Sequence, residues 1–261
     1  MPNPRLPAEL LDHIVDLLSD NKRVLRNCCL VSKSWIPRTR EHLFSFISFF
    51  TPKDLKLWKK TFPDPSASPA CYTKTIFIGS SHVLADADAH GGCWLRGFSR
   101  VVHLALILQG HASSISLVAF HGFSPVIKSL YLSFILLPPL YIFDLILSFP
   151  LLEDLSVLTY GGSGDNNDDP GLLPTVVQSS SPPMLTGALA LSLVKGTELV
   201  TRRLLSSPGG IHFRKLTWTW FCEEDLPFIM MLVEECSRTL ESLKITYELP
   251  GTSIRHIRPH R

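Results

Sequence analysis

The sequence lacks the motifs that mark the common enzyme chemistries. Its 261 residues contain no Gly-x-Ser-x-Gly elbow and no glycine-rich phosphate loop, so nothing proposes an acyl or phosphoryl transfer. Its six cysteines include no Cys-x-x-Cys pair, which indicates neither a zinc site nor a disulfide scaffold. It has no Asn-x-Ser/Thr acceptor, and the opening MPNPRLPAEL lacks the apolar core of a signal peptide. We therefore expect an intracellular protein, cytoplasmic or nuclear or both, that is not an enzyme and needs no cofactor or metal.

The charge of the chain is also nearly balanced. Lys and Arg number 25 against 23 for Asp and Glu, which gives no reason to expect a nucleic-acid partner. A hydrophobic content of 45% leaves ample material for a core, so the chain is not disordered. The first 60 residues are more basic, with 11 basic and 6 acidic side chains. This excess favours an acidic partner or is simply solvated surface charge.

The most strongly patterned stretch is residues 6–35. Pro7 suits the first turn of a helix, because its fixed φ is already helical. Apolar residues then recur at helical spacing, at Leu10, Leu11, Ile14, Leu17 and Leu18. A second apolar run covers residues 24–31, and a third helix is expected from Pro37 to Leu43. Three short helices in about 40 residues bury too little surface to be robust alone, so we infer that a partner covers the remaining face.

The sequence of this stretch resembles an F-box. The resemblance rests on the opening Leu6-Pro7-x-Glu9-Leu10-Leu11, the polar break at residues 19–22 and the closing LVSKSW at residues 30–35. It implies an F-box domain over residues 1–44 that binds the Skp adaptor and, through it, a cullin-based ubiquitin ligase. The residues that it implies for the adaptor interface or the core of the domain are Leu6, Pro7, Leu10, Leu11, Ile14, Leu25, Leu30, Val31 and Trp35. A generic three-helix cap on another domain is the alternative.

A second pattern recurs along the rest of the chain, in which two apolar residues flank a single residue. It occurs at residues 76–78, 104–106, 130–132, 155–157, 189–191, 216–218 and 243–245, at intervals of 28, 26, 25, 34, 27 and 27 residues. Periods of roughly 20 to 29 residues are typical of leucine-rich repeats, in which each repeat is a short strand and a return segment. The one long interval contains the polar, glycine-rich loop at residues 161–171.

The return segments and the sequences of the repeats also favour leucine-rich repeats. Residues 139–149 and 226–236 are apolar at helical spacing. Phrases such as Leu152-Glu-Asp-Leu155 resemble the irregular leucine-rich repeats that follow F-boxes in many fungal proteins. The predicted fold class is therefore α/β: a three-helix F-box, then a leucine-rich-repeat-like α/β solenoid over residues 45–250 that recognises the substrate, and a basic tail at 251–261. An unrelated α/β domain with evenly spaced strands is the alternative.

The repeat also predicts which side chains are buried. The first apolar residue of each strand should point inward, at Leu130, Leu155, Leu189, Leu216 and Leu243. The residue between the apolar pair should point to the opposite, exposed face, at Tyr131, Ser156 and Thr217, because side chains alternate along a strand.

Three other motifs are weaker. Residues 130–152 are long and apolar enough for a membrane span, but Pro138-Pro139 and Asp144 interrupt them, so we expect no span. Residues 165–171 resemble a calcium loop without its glycine and its bidentate glutamate. Asp86, Asp88 and His90 are a possible set of metal ligands, although acidic residues beside two glycines more often form a solvated turn.

The expected function is that of a substrate-receptor subunit of an SCF-type ubiquitin ligase. Such a subunit binds the Skp adaptor through the F-box and an unknown protein substrate through the repeats. The alternative is an F-box scaffold or interaction protein that acts without ubiquitination. A hydrolase without a recognisable motif is the third and weakest reading.

Overall fold

The computed structural model describes residues 7–64, 67–80, 82–84, 94–108, 123, 125–134, 145–159, 183–193, 197–207, 209–219 and 223–246. Within these residues the helices are α1 (Ala8–Leu17), α2 (Lys22–Val31), α3 (Ile36–Leu43), α4 (Pro52–Thr61), α5 (Thr197–Leu205) and α6 (Leu226–Glu235). The strands are β1 (Phe46–Phe49), β2 (Thr75–Ile78), β3 (His103–Leu108), β4 (Ser129–Phe134), β5 (Asp154–Thr159), β6 (Ala188–Leu193), β7 (Lys215–Thr219) and β8 (Ser242–Thr246).

Helix α1 begins one residue later than the sequence predicts. Pro7 has φ −53° and ψ 144°, so it lies just before the helix as its cap. Its carbonyl accepts hydrogen bonds from the N–H groups of Leu10 and Leu11, at 3.1 and 3.3 Å. The prediction that Pro7 occupies the first turn is therefore wrong, because its extended ψ is incompatible with a helical residue.

Helices α2 and α3 complete a small helical module. The Asn21 side chain caps α2 by accepting a hydrogen bond from the Val24 N–H at 3.1 Å. A 3-10 turn at Lys33–Trp35 then leads directly into α3. Helix α3 packs against α1, α2 and that turn, and against a second 3-10 turn at Pro69–Tyr72 next to β2. We call residues 7–43 the helical module.

The predicted capping signal at the start of α4 is present. The Thr51 N–H donates to the Asp54 carboxylate at 2.8 Å, which satisfies a backbone donor at the end of the helix. Helix α4 fastens the first strand, since Phe49 of β1 packs edge-on against Trp58 of α4 at a centroid distance of 5.9 Å. Phe49 also contacts the rings of Trp94 and Phe98. The amino-terminal end of the sheet is therefore held by an aromatic cluster.

The eight described strands form one parallel sheet in the order β1 to β8, so every strand pairs with the next strand in the sequence. The sequence predicts one apolar pair in each of seven strands, and the register aligns the first residues of these pairs across neighbouring strands. The aligned residues are Ile76 with Leu104, Leu104 with Leu130, Leu130 with Leu155, Leu155 with Leu189, Leu189 with Leu216 and Leu216 with Leu243. The predicted strands and their equivalence are confirmed. The chain is an α/β protein with a sequentially ordered parallel sheet.

One backbone arrangement recurs where each strand begins. The carbonyl of the residue before β2, Lys74, accepts hydrogen bonds from two successive N–H groups, those of Val102 and His103. The same pair of hydrogen bonds to one carbonyl oxygen recurs at Ser45, Val102, Lys128, Gly187 and Arg214. At Glu153 only one N–H, that of Gly187, reaches the carbonyl; the next, of Ala188, donates to the Asp154 carboxylate at 2.6 Å. A side chain thus replaces the backbone at the longest interval.

The two faces of the sheet differ in burial. The first residues of the apolar pairs are at most 4% exposed from Ile76 to Leu216. Buried residues of α5 and α6, including Val200 and Leu232, belong to the same core, so these helices cover this face. Tyr131, Ser156 and Thr217 lie on the opposite face and are partly exposed. We call that second surface the open face of the sheet.

Leu243 does not follow the other members of its ladder. Its side chain is 46% exposed, against 0% for Leu155, and Ile245 of the same strand is 41% exposed. The prediction that Leu243 is buried is wrong, because β8 pairs on one side only within the described part of the chain. A terminal strand has lost half of the neighbours that bury a central one.

The apolar stretch at residues 130–152 divides between two elements. Its described residues form β4 and a helical segment at 145–147, with Leu145, Ile146 and Phe149 buried in the core. In the part of the chain described here, no helix combines the length and the apolar character needed to cross a membrane. The loop at 161–171, the candidate ligands Asp86, Asp88 and His90, residues 139–144 and the tail 251–261 lie outside the described residues.

The position of a leucine along the ladder should decide what its removal costs. Leu155→Ala leaves a cavity between two paired strands, so we expect a loss of about 2–5 kcal/mol in the free energy of unfolding. Leu243→Ala should cost far less, because almost half of that side chain already contacts water. Urea denaturation midpoints of the two variants measure the difference, with Ser156→Ala as the open-face control. Equal losses in the two leucine variants would contradict this account.

Gly187 should tolerate no side chain. A Cβ atom there would collide with the Asp154 carboxylate and come within 3.0 Å of the Glu153 carbonyl oxygen. Gly187→Ala should therefore displace the acceptor of the Ala188 N–H and destabilise the chain by about 1–3 kcal/mol. In the double variant with Asp154→Ala the two effects should not add, since both remove the same hydrogen bond. Additive losses in urea denaturation would show that the two residues act separately.

Candidate docking site on the amino-terminal helices

Helix α1 presents large apolar residues to solvent on one side. Leu10, Ile14 and Leu17 are 50%, 38% and 73% exposed, and their i, i+4, i+7 spacing places them in one line along the helix. The opposite line contains Val15, which is 1% exposed and is the buried residue of α1. The helix therefore has two apolar sides, and the fold of this chain uses only one of them.

Helix α2 is exposed in the same way at its carboxyl end. Leu30 and Val31 are 85% and 68% exposed, the former more than any other large apolar residue described. Leu25 and Cys28 of the same helix are buried at 0% and 5%. We call Leu10, Ile14, Leu17, Leu30 and Val31 together the exposed apolar set. Exposed apolar residues of this kind make the helical module a candidate site for protein association.

The structure separates the predicted site residues into three groups. Pro7, Leu10, Ile14, Leu30 and Val31 are exposed and available to a partner. Leu11 and Trp35 are half-buried, while Leu25 is fully buried and belongs to the core of the module. Leu6 lies outside the described residues.

Leu17 is the member of the exposed set that the sequence-based site omits. It belongs to the apolar stripe that the sequence predicts, and its i+7 relation to Leu10 is the signal that could have identified it. The stripe alone did not separate Leu17 from its neighbour Leu18, which is half-buried. That separation depends on which side of α1 contacts α3, and the contact is a tertiary one.

A network of ion pairs holds α1 behind the exposed set. Arg38 of α3 donates two hydrogen bonds to Asp16 of α1, from Nε at 2.6 Å and from Nη2 at 2.8 Å. His42 Nε2 lies 2.7 Å from the same carboxylate, and Arg38 Nη1 donates to Glu41 at 2.7 Å. Lys74, next to β2, completes the network with Nζ 3.0 Å from Glu41. The network therefore joins α1, α3 and the start of the sheet.

These contacts perturb the acidity of the groups involved. The hydrogen bonds from Arg38 and then from His42 hold the pKa of Asp16 far below its usual range. The pKa of Glu41 is also lowered, chiefly by its hydrogen bond from Lys74. Both carboxylates thus remain ionised well below neutral pH.

The exposed surface of α2 is basic. Lys22, Arg23 and Arg26 are all exposed, and the helix contains no acidic residue. Lys33 is exposed just beyond Leu30 and Val31. An apolar end flanked by cations complements a partner that has an apolar groove with an acidic rim.

The described residues offer no catalytic constellation in the cavity that adjoins the module. This cavity of about 300 Å³ is lined by Glu41, Cys71, Tyr72, Lys74, Ser99, Arg100, Val102 and Val126. Glu41 and Lys74 are bonded to each other, and the Cys71 thiol donates to the Ser68 carbonyl at 3.8 Å instead of to a base. No described group of His, Cys, Asp and Glu has the arrangement of a metal site. Cys28, Cys29, Cys71 and Cys236 are free thiols, and Cys93 and Cys222 lie outside the described residues.

Comparison with known proteins does not identify the chain. No family model matches it, and no curated protein matches its sequence.

The Asp16 network should make the attachment of α1 sensitive to acid. The pKa of Asp16 is lower in the folded chain than in the unfolded one, so its stabilisation is complete above about pH 4 and is lost as the pH falls further. Asp16→Asn should therefore lower the Tm at pH 7, and the difference from wild type should shrink in more acidic buffer.

Asp12→Asn is the matched control, because Asp12 is an exposed carboxylate on the same helix. It should change the Tm little at any pH. Thermal melts of the three proteins from pH 7 down to about pH 3 make the comparison. A constant Tm difference across that range would show that Asp16 stabilises the chain in some way other than through its charge.

Proposed function

We propose that the chain is a substrate-receptor subunit of an SCF-type ubiquitin ligase. In this proposal the helical module is an F-box that binds the Skp adaptor, and the sheet is a leucine-rich-repeat-like solenoid that binds a target protein. The chain itself performs no chemistry. It acts inside the cell, in the cytoplasm, the nucleus or both.

The observation that carries the proposal is the position of the exposed apolar set. Leu10, Ile14, Leu30 and Val31 are among the residues that the F-box resemblance implies for the adaptor interface or the core, and all four are exposed. Burial of large apolar side chains is the main source of affinity in protein association. The basic surface of α2 adds a charge that an acidic adaptor rim would complement.

The sheet supports the second half of the proposal. Its strands follow one another in sequence order at intervals of 25 to 34 residues. Repeats of this kind build long surfaces on which a target binds. The open face, with its partly exposed side chains, is a surface of that type.

Such a subunit works by proximity. When the adaptor holds the helical module and the sheet holds a target, the lysines of the target stay close to the charged conjugating enzyme. The effective concentration of a tethered target reaches the millimolar range. The contacts among Asp16, Arg38, Glu41 and Lys74 favour a fixed orientation of the helical module relative to the sheet. A fixed orientation keeps a bound target close to the conjugating enzyme.

A second candidate function is an F-box scaffold that binds the adaptor without ubiquitination. The same exposed set supports it, since adaptor binding is common to both functions. A ubiquitin-dependent fall in the abundance of a bound protein separates the two. That fall occurs only for the ligase subunit.

The adaptor interface should be destroyed by charges placed on the exposed set. Leu10→Asp combined with Leu30→Asp puts two carboxylates where the partner should bury apolar surface, so we expect co-purification with the Skp adaptor to fall by at least about tenfold. Both side chains are at least half exposed, so the fold should survive.

Leu57→Asp is the matched control for this variant. Leu57 is 65% exposed on α4, outside the helical module, so its substitution makes the same chemical change elsewhere. It should leave adaptor binding unchanged. Retention of the adaptor by the double variant, with a normal melting curve, would refute the proposal.

A further inference from the structure

On the open face an alanine lies between two aromatic side chains, and we call the space above the alanine the slot. Phe77 of β2, Ala105 of β3 and Tyr131 of β4 are aligned by the strand register, so their side chains project from the same face in the order ring, methyl, ring. All three are partly exposed. Neighbouring strands lie about 4.8 Å apart, so the two rings stand roughly 9.6 Å apart across the alanine. A single aromatic side chain placed over Ala105 would lie about 4.8 Å from each ring, within the range of favourable ring pairs.

One wall of this slot is braced. Phe50 packs against Phe77 with a centroid distance of 4.8 Å and is itself 57% exposed. Gly79 permits this packing, because a Cβ there would come within 3.0 Å of the Phe50 ring and 3.2 Å of the Phe77 ring. Ile107, two residues beyond Ala105 on the same strand, adds half-exposed apolar surface beside the slot. The rest of the open face is mainly small or hydroxylic, as at Ala190, so the aromatic surface is local.

The charges on the open face have one prevailing sign. Among its described strand positions, the cations Lys215 and Lys244 are exposed, while the carboxylate of Asp154 is half-buried and accepts a hydrogen bond from the Ala188 N–H. Lys215 belongs to β7, four strands from the slot, at a distance of roughly 19 Å that about six extended residues span. The face therefore complements an acidic segment.

We propose that the slot formed by Phe77, Ala105 and Tyr131 binds one aromatic side chain of an extended acidic segment of the target protein, which runs across the open face towards Lys215 and Lys244. This inference deepens the proposed function, because it names the chemical class of the target. The aromatic side chain supplies the buried anchor, and the acidic residues supply the charge that pairs with the two lysines.

Defined peptides test the proposal on the full chain. The probes are two fluorescein-labelled peptides of about twelve residues, composed of Ser and Glu with a single Phe near one end or the other, one for each chain direction. Fluorescence anisotropy should detect binding of one of them. Replacement of its Phe by Ala, or of its Glu residues by Lys, should weaken binding by at least about tenfold.

Two alanine variants locate the site. Ala105→Leu fills the slot between the rings and should weaken peptide binding by at least about tenfold. Ala190→Leu is the matched control, because Ala190 occupies the same row of the open face between Ser156 and Thr217. It should bind the peptide as wild type does. Both variants should melt as wild type does.

Several results would overturn the proposal. They are failure of both peptides to bind, equal binding by Ala105→Leu and wild type, and equal loss in the two alanine variants. Disruption of a dimer by Ala105→Leu in sedimentation velocity would show that a second copy of the chain fills the slot instead. The Skp adaptor should be retained by both variants. If the wild-type chain binds the peptide but not the adaptor, the proposed ligase function is refuted, while the proposal that the slot binds an aromatic side chain is supported.

Discussion

The structure depends on the way in which each strand begins. One carbonyl before each strand accepts the first N–H groups of the next, from Ser45 through Arg214, and this fixes where successive strands start relative to one another. Because side chains alternate along a strand, a common start also places every apolar pair on the same face. The Glu153 carbonyl is the exception, because it accepts only one N–H group. Where the interval stretches to 34 residues, the Ala188 N–H bonds to the Asp154 side chain instead, and the register of β5 with β6 is preserved.

Sequence reasoning predicted what depends on neighbouring residues. The apolar pairs identified the strands and their pairing, because the alternation is encoded within three residues. It failed where a distant contact decides the outcome. Val15 is buried and Leu17 exposed because of the side of α1 that meets α3, through the Asp16–Arg38 pair, whose members lie 22 residues apart. Leu243 has the same local sequence pattern as Leu155, but it is exposed because β8 is the last described strand of the sheet. The position of a strand in a sheet cannot be read from the residues of that strand alone. The alignment of Phe77 with Tyr131 likewise needed the register.

The helical module and the sheet are joined by more than chain connectivity. Helix α3 contacts α1 and α2 on one side and the turn at Pro69–Tyr72 on the other, so it lies between the module and the sheet. The Glu41 carboxylate bridges Arg38 and Lys74 and so links the two parts. Half-exposed ion pairs of this kind contribute modestly to stability. Their consequence is geometric, since a bidentate Arg38–Asp16 contact fixes the orientation of α1 and hence the direction in which Leu10 and Ile14 point.

The two ends of the sheet are protected in different ways. At the first strand, Phe49 is enclosed by the rings of Trp58, Trp94 and Phe98. At β8, Leu243 and Ile245 remain exposed around Lys244. Edge strands that carry a lysine resist pairing with a second edge. If two copies of β8 met antiparallel with Leu243 opposite Ile245, the two Lys244 side chains would also be directly opposite, and like charges in that position are destabilising. The register that would best match the apolar residues is therefore the one that the charge disfavours.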